Sequence, residues 1–384
     1  MDILDSHFDA SSKLRYSSRL VPELEGRNSG GLLRPVREIL NLMRDRRAID
    51  PLRIVAIGGG NGLSALLHGL KDLIFGRHSH AVDIDLTAVV TVTDDGGSSG
   101  RLRRELDVLP PGDIRNCMVA MSEDEALLSR LFQYRFESGR GLKGHSFGNL
   151  FLSALTQLTG DFAKAVQLSS EVLASCGRIY PSTAANVVLE AELANGETVA
   201  GETRISRTKP RIVKVRLRPG DVDPHPETLG AIAAADLIIL GPGSLFTSVI
   251  PNILVKGVPA AIQNSKALKA YFVNLMWQPG ETNGFTASDH VRAIHEHAGL
   301  SLIDVAILNT RPITTLLKTR YAAEKARPVE NDTPALLQMG VEVIEADLAA
   351  ESEKVRHDPV ITADIAVDLA HRARRTRTRR RVSA

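Results

Sequence analysis

The chain has 384 residues, 43% of them hydrophobic and 24% charged, a globular balance that allows one to three domains and a sizeable core. Its two cysteines, Cys117 and Cys176, exclude a disulfide framework and a clustered thiolate metal site. The net charge of +2 is uneven: seven arginines between Arg372 and Arg381 carry +7, which leaves −5 on the rest. The N-terminus has charges throughout and no apolar core of the signal-peptide kind. No run of about 18 apolar residues occurs either, so no transmembrane segment and a cytoplasmic location are expected.

Residues 1–50 read as an N-terminal extension. Val36, Ile39, Leu40 and Met43 repeat at helical spacing among arginines, which predicts one amphipathic helix before Pro51. From Pro51 to Ala370 no linker interrupts the pattern, and residues 51–370 are expected to form a single domain.

The domain opens on Arg-Ile-Val-Ala-Ile followed by Gly58, Gly59, Gly60, Asn61 and Gly62. Four consecutive apolar residues suit a strand buried on both faces of a parallel sheet. Leu63, Leu66, Leu67 and Leu70 then recur as on a helix. Strand, glycine turn and helix start make an anion site, because backbone N–H groups at a helix N-terminus lack partners and carry roughly +0.5 charge. The register Gly60-x-Gly62-x-x-Ala65 fits a dinucleotide fingerprint, but the usual acidic residue about 20 positions on is absent. A tight turn whose glycines serve packing alone remains the other reading.

A second strand is expected from Asp85 to Thr93, running into Asp94, Asp95, Gly96, Gly97 and Ser98. Asp94 and Asp95 suit a metal ion, ribose hydroxyls or the cap of the next helix. A helical section follows from Ile114 to Leu173, entered in part through His145, Ser146 and Asn149, which suit a phosphate, a ribose or helix capping. From Asn186 to Leu217 alternation with period two and the Asn195-Gly196 pair predict an inserted β-hairpin region. Parallel character returns with residues 234–240, which empty into Gly241, Pro242, Gly243 and Ser244, a second strand–glycine loop–helix start. A short strand is expected at Ala260-Ala261-Ile262, a helix capped near Ser288, and a strand at Val305 to Asn309. The fold class is therefore α/β, Rossmann-like and doubly wound, with a mainly parallel sheet. Ligands of such sheets gather at the C-terminal strand ends, where these loops lie.

The motifs Gly-Gly-Gly-Asn-Gly-Leu-Ser, Thr-Asp-Asp-Gly-Gly-Ser-Ser-Gly-Arg-Leu, Pro-Pro-Gly-Asp-Ile-Arg-Asn, Gly-His-Ser-Phe-Gly-Asn-Leu, Gly-Pro-Gly-Ser-Leu-Phe-Thr-Ser and Gln-Pro-Gly-Glu-Thr occur in this order. They resemble the YvcK family of gluconeogenesis factors, grouped with the CofD-like 2-phospho-lactate transferases. The resemblance covers residues 53–370. It implies a cytoplasmic protein needed for cell shape and wall synthesis on gluconeogenic carbon sources, and a UDP-sugar ligand such as UDP-N-acetylglucosamine. Tyr321 and Arg356 match family segments; a tyrosine can stack on a base or sugar, and arginine's planar fork suits a diphosphate.

A ligand-binding regulator that needs no cofactor is the first expectation, with a homo-oligomer expected. The alternative is a transferase in which Asp94 or Asp95 holds Mg²⁺ or acts as base on a nucleoside-diphosphate-linked substrate. An NAD(P) oxidoreductase rests only on the spacing of Tyr321 and Lys325. Residues 371–384 are expected to be a disordered tail able to contact polyanions through its arginines.

Overall fold

The computed structural model describes residues 50–77, 81–123 and 127–382. The chain divides between Asp50 and Pro51. The helix expected around Val36, Ile39, Leu40 and Met43 lies outside the described residues.

The first strand, β1, is Leu52–Gly58, and its Ile54, Val55, Ala56 and Ile57 are at most 2% exposed. A strand covered on both faces needs apolar side chains at every position, which is why this run does not alternate. It is followed by helix α1, Gly60–Ile74, by β2, Ile84–Val90, and then by five helices: α2, Gly97–Leu106; α3, Gly112–Met121; α4, Leu127–Gln133; α5, Phe147–Thr159; and α6, Phe162–Val172. β3, Arg178–Pro181, ends this half. The insert comprises β4, Val188–Leu193, β5, Thr198–Ala200, and β6, Ile212–Arg218. The second half supplies β7, Leu237–Leu240, β8, Leu268–Phe272, β9, Val305–Asn309, and β10, Glu342–Ala346. A last antiparallel pair joins β11, Ala349–Glu351, to β12, Val355–His357.

Seven strands form one sheet in the order β10-β9-β8-β7-β1-β2-β3, and all six pairings are parallel. The expected Rossmann-like α/β architecture is what the chain adopts. The expected insert is a three-stranded antiparallel sheet, with Asn195-Gly196 turning β4 into β5. Strand order reverses at β1: the first half builds outward through β2 and the second half through β7. Crevices open outside the carboxyl ends of strands at such a reversal.

Helix α1 packs against the C-terminal helix, Pro359–Val382. Gly69 lies inside α1, where glycine is ordinarily unfavourable by about 1 kcal/mol. Here a Cβ would stand 1.9 Å from the Pro359 carbonyl oxygen, so only glycine lets the two helices approach.

Two expectations are corrected, and the cap expected near Ser288 is located at Thr286. Ala260, Ala261 and Ile262 lie in the helix Val258–Asn264, where Pro259 in the first turn pre-sets the backbone. The neighbouring strand is β8, whose apolar run Lys269 disguises; that lysine faces Asp304 at 3.8 Å. The helix Ala287–Ala298 is capped by Thr286 in a box with Asp289, while the Ser288 hydroxyl donates to Asp332 at 2.5 Å. The tail expected to be disordered is helical as far as Val382. Its reason is Asp236, at the head of β7, whose buried carboxylate pairs with Arg374 and Arg377 and accepts the Arg53 N–H at 3.0 Å. Arg372 pairs with Glu342, so three of the seven arginines are held within the fold.

Among the described residues no single helix is long and apolar enough to cross a membrane. One bent pair, Leu245–Ile253 with Val258–Asn264, passes by length and composition. Its Leu245, Val249, Ile250, Val258 and Ile262 are fully buried in the core.

Candidate functional site

β1 and β7 are hydrogen-bonded neighbours, so the glycine loops that follow them lie side by side at the strand-order reversal. Their backbones touch. A Cβ on Gly62 would fall 2.5 Å from the Pro242 carbonyl oxygen and 2.9 Å from the Gly243 nitrogen. One on Gly243 would meet the Gly59 carbonyl oxygen at 3.2 Å. Gly60 adopts φ +64, which a side chain disfavours. Gly59 caps α1 without a side chain, and no acidic residue stands in the first turn. The helix therefore presents a positive end to the crevice with nothing of its own sequence to neutralise it.

A cleft of about 520 Å³ lies over this junction. Its floor comprises Gly59, Gly60, Asn61, Gly62, Gly243 and Ser244. Thr247 and Ser248 follow on a π-helical turn, Leu245–Val249, in which the Ser248 and Val249 N–H groups both donate to the Ser244 carbonyl at 2.9 and 3.0 Å. Such widened turns concentrate at functional sites. Gln278 donates from Nε2 to Ser244 Oγ at 2.5 Å and brings Trp277 to the wall.

Tyr321 and Arg356 line the same cleft. Tyr321 sits on the helix Thr315–Ala323, and its hydroxyl accepts the Val355 N–H at 3.0 Å. That bond fixes β12 and hence the exposed Arg356 beside it. Lys325 lies beyond the helix with φ +60, so the Tyr321/Lys325 spacing makes no pair on one helical face. If Arg356 grips a diphosphate, as its planar fork suits, Arg356→Ala should weaken that affinity by about tenfold with an unchanged unfolding midpoint; calorimetric titration beside a denaturant curve checks both.

The other expected residues are not in the cleft lining. Gly58 ends β1 and packs toward Gly241, which has φ +73. Asp94 accepts the Gly96 N–H at 2.8 Å. Asp95 accepts the Thr203 N–H at 2.8 Å and hydroxyl at 2.7 Å, which ties the insert to the loop after β2. Gly97, with φ +44, starts α2. Ser98 meets His145 Nδ1 at 2.9 Å, and Asn149 donates to Ser99 at 3.4 Å, binding α2 to α5. Burial, then Arg101, holds His145 below its usual range. These groups clasp helices together, and the Asp94–Asp95 pair is split between two structural tasks.

An acidic group replaces that pair. Asp113, at the start of α3, accepts the Gly60 N–H, and its Oδ2 would lie 2.6 Å from a Gly59 Cβ. One amide at the mouth of α1 is thus already occupied by a carboxylate. Burial, reinforced by Asp94, pushes Asp113 up to about 7. Glu281 is 4% exposed and is also pushed up to about 7 by burial, against hydrogen bonds from Ser206 and Thr247. Burial, then Asp113, raises Glu202 well above the carboxylate range. Glu202 and Glu281 line the cleft, and the Oε2 of each is buried without a hydrogen-bond partner among the described residues. Asp113 and Glu281 stood in two of the quoted motifs, Pro-Pro-Gly-Asp and Gln-Pro-Gly-Glu, yet nothing in spacing marked them as neighbours. Glu202 carried no signal at all, since only the folding of the insert delivers it.

Glu281 has a consequence for pH. Folded, it keeps its proton to about 7, whereas an unperturbed carboxyl releases it near 4.5. The folded state therefore holds more protons between those values, and stability falls as pH rises from about 4.5 to 7. Glu281→Gln should flatten that part of the profile; a chemical-denaturation series over this range would refute the assignment if the slope were unchanged.

Fold and cleft together define a class: Rossmann-like α/β proteins with a crevice of about 520 Å³ floored by two glycine loops at the strand-order reversal. The family model for the 2-phospho-L-lactate transferase CofD matches residues 54–349. The gluconeogenesis factor of Bacillus subtilis is 47% identical over 318 residues, 83% of this chain and 98% of that protein. The gluconeogenesis factor of Halalkalibacterium halodurans is 47% identical over 306 residues, 79% of this chain and 92% of its own. A crystal structure of a UPF0052 family member from Bacillus halodurans superposes with TM-score 0.79 at 45% identity, covering 83% of this chain and all of that one. The chain belongs to the CofD family and, within it, groups with the gluconeogenesis factors.

Proposed function

We propose that this protein is a cytoplasmic regulator that binds a nucleotide sugar of the UDP-N-acetylglucosamine type, and that occupancy of the cleft governs cell shape and wall synthesis on gluconeogenic carbon sources. One observation carries the reading: two glycine loops, touching backbone to backbone at the β1/β7 reversal, floor a cleft whose rim bears Tyr321 and Arg356. The diphosphate lies against the α1 mouth and the Ser244 to Ser248 turn, Arg356 offers a two-pronged cation, and Tyr321 an aromatic face. The nucleotide-sugar chemistry follows the family resemblance; the cleft is compatible with it in size and polarity.

The acidic group supports a second reading, a CofD-type transferase on a nucleoside-diphosphate-linked substrate. Ionised Glu202 and Glu281 would repel a diphosphate unless a cation or their own protons intervened. Among the described residues no three His, Cys, Asp or Glu side chains could hold a metal by themselves. Mg²⁺ would thus be held by the free Oε2 atoms of Glu202 and Glu281 together with phosphate oxygens and water, a donor set it accepts. When bound it would neutralise phosphate charge.

Incubation with UDP-N-acetylglucosamine, Mg²⁺ and cell extract separates the two. Saturable binding without consumption is the expected result. Release of UDP at a catalytic rate would replace the regulator with the transferase.

A further inference from the structure

A second groove, of about 650 Å³, adjoins the cleft and shares Asn61, Ala65 and Arg356 with it. Helix α1 contributes Lys71, helix α3 contributes Arg115, and Arg130 and Arg135 come from α4 and the residue stretch after it. Every ionisable side chain in its described lining is basic; no aspartate or glutamate is among them. Cations from four separate parts of the chain converge here, although like charges repel and the chain outside its C-terminal arginines is net acidic.

Arg115 is the second, independent sign. It is 9% exposed, donates from Nη1 to Ser146 Oγ at 2.6 Å and from Nη2 to Asn116 Oδ1 at 2.5 Å. Its Nε is buried without a partner among the described residues. A guanidinium offers five N–H donors in a planar fork matched to carboxylate and phosphate oxygens, and this one lines the groove with only part of its fork engaged. Burial, then the nearby Arg135, holds Arg115 below its ordinary range, against the opposing pull of Asp113 and Asp94.

We propose that this groove is a binding site for a small phosphate monoester, distinct from the nucleotide-sugar cleft and coupled to it through Arg356. A dianion suits several guanidinium groups better than a monocarboxylate does, and the volume admits a metabolite-sized molecule. Because Arg356 faces both spaces, each ligand alters the affinity of the other by the same factor. The groove does not depend on the nucleotide-sugar reading, since its cations stand whatever occupies the cleft.

The test is calorimetric titration of inorganic phosphate into the full chain, alone and saturated with UDP-N-acetylglucosamine. One phosphate per chain is expected in both, with affinities that differ. In Arg130→Ala/Arg135→Ala, both exposed positions, phosphate affinity should fall at least about tenfold while the unfolding midpoint holds. Arg115→Lys should weaken it as well, because the charge stays and the fork is lost. Equal charge removal at Arg292→Ala/Arg320→Ala, also exposed, should leave it unchanged. Absence of saturable phosphate binding, no loss in the Arg130/Arg135 variant, or an equal loss in the Arg292/Arg320 variant would overturn the proposal. If UDP-N-acetylglucosamine does not bind at all, the proposed function fails, and the phosphate titration still reads the groove.

Discussion

Asp236→Ala should lower folding stability by about 3–5 kcal/mol, the range for breaking a buried ion pair by removing one partner. The carboxylate is buried at the head of β7 and satisfies two guanidinium groups and the Arg53 amide together. Arg374 also donates to the Pro51 carbonyl at 2.5 Å, so the same cluster ties the start of the domain to its last helix. Without the carboxylate, two arginines whose side chains are only 22% and 27% exposed lose the buried anion they share. Burial shields the cluster from salt, so the loss should persist at high ionic strength. Arg377→Ala should cost less, because Arg374 still neutralises Asp236. Guanidinium unfolding of the three proteins checks the ranking, and an Asp236→Ala midpoint equal to wild type would refute the clasp.

Gly62→Ala has the second large effect, on the cleft. The added methyl would stand 2.5 Å from the Pro242 carbonyl oxygen, a backbone atom with no side chain to swing away. The loops must separate, at the usual overpacking penalty of about 1–3 kcal/mol, and the amides that on this proposal face the phosphates separate with them. Nucleotide-sugar affinity should drop by about tenfold to a hundredfold. Gly60→Ala provides the contrast: its backbone has φ +64, but the nearest obstruction is Ser248 Oγ at 3.6 Å. That substitution strains one residue without parting the loops, so it should weaken binding less than Gly62→Ala does. Equal losses at the two positions would show that backbone conformation, and not loop contact, sets the affinity.

What could be read from the sequence follows from how far each signal reaches. The unbroken apolar run of β1 and the glycines after it are local, and strand, turn and helix appear where such a pattern puts them. Asn195-Gly196 is equally local and turns a hairpin. The floor of the cleft was legible for the same reason, as were Tyr321 and Arg356 through motif resemblance. Side chains whose roles are set by distant partners were not. Asp94 and Asp95 have the composition of a metal pair, but one bonds its own turn and the other anchors Thr203, 108 residues away. Glu202 and Glu281 reach the cleft, and Asp113 the Gly60 amide at its floor, from three separate segments. The C-terminal arginines resembled a solvated tail because Asp236, which holds two of them, reads in sequence as an interruption in an apolar strand. Charge runs show composition, and only the fold shows the counter-ion.

The central claim is that the two touching glycine loops seat the diphosphate of a nucleotide sugar. A crystal structure of the full chain grown with UDP-N-acetylglucosamine tests it most directly. The account predicts diphosphate density against the amides of residues 59–62 and the Ser244 to Ser248 turn, with Arg356 at the phosphates. A bound ligand lying elsewhere, with that junction empty, would contradict it.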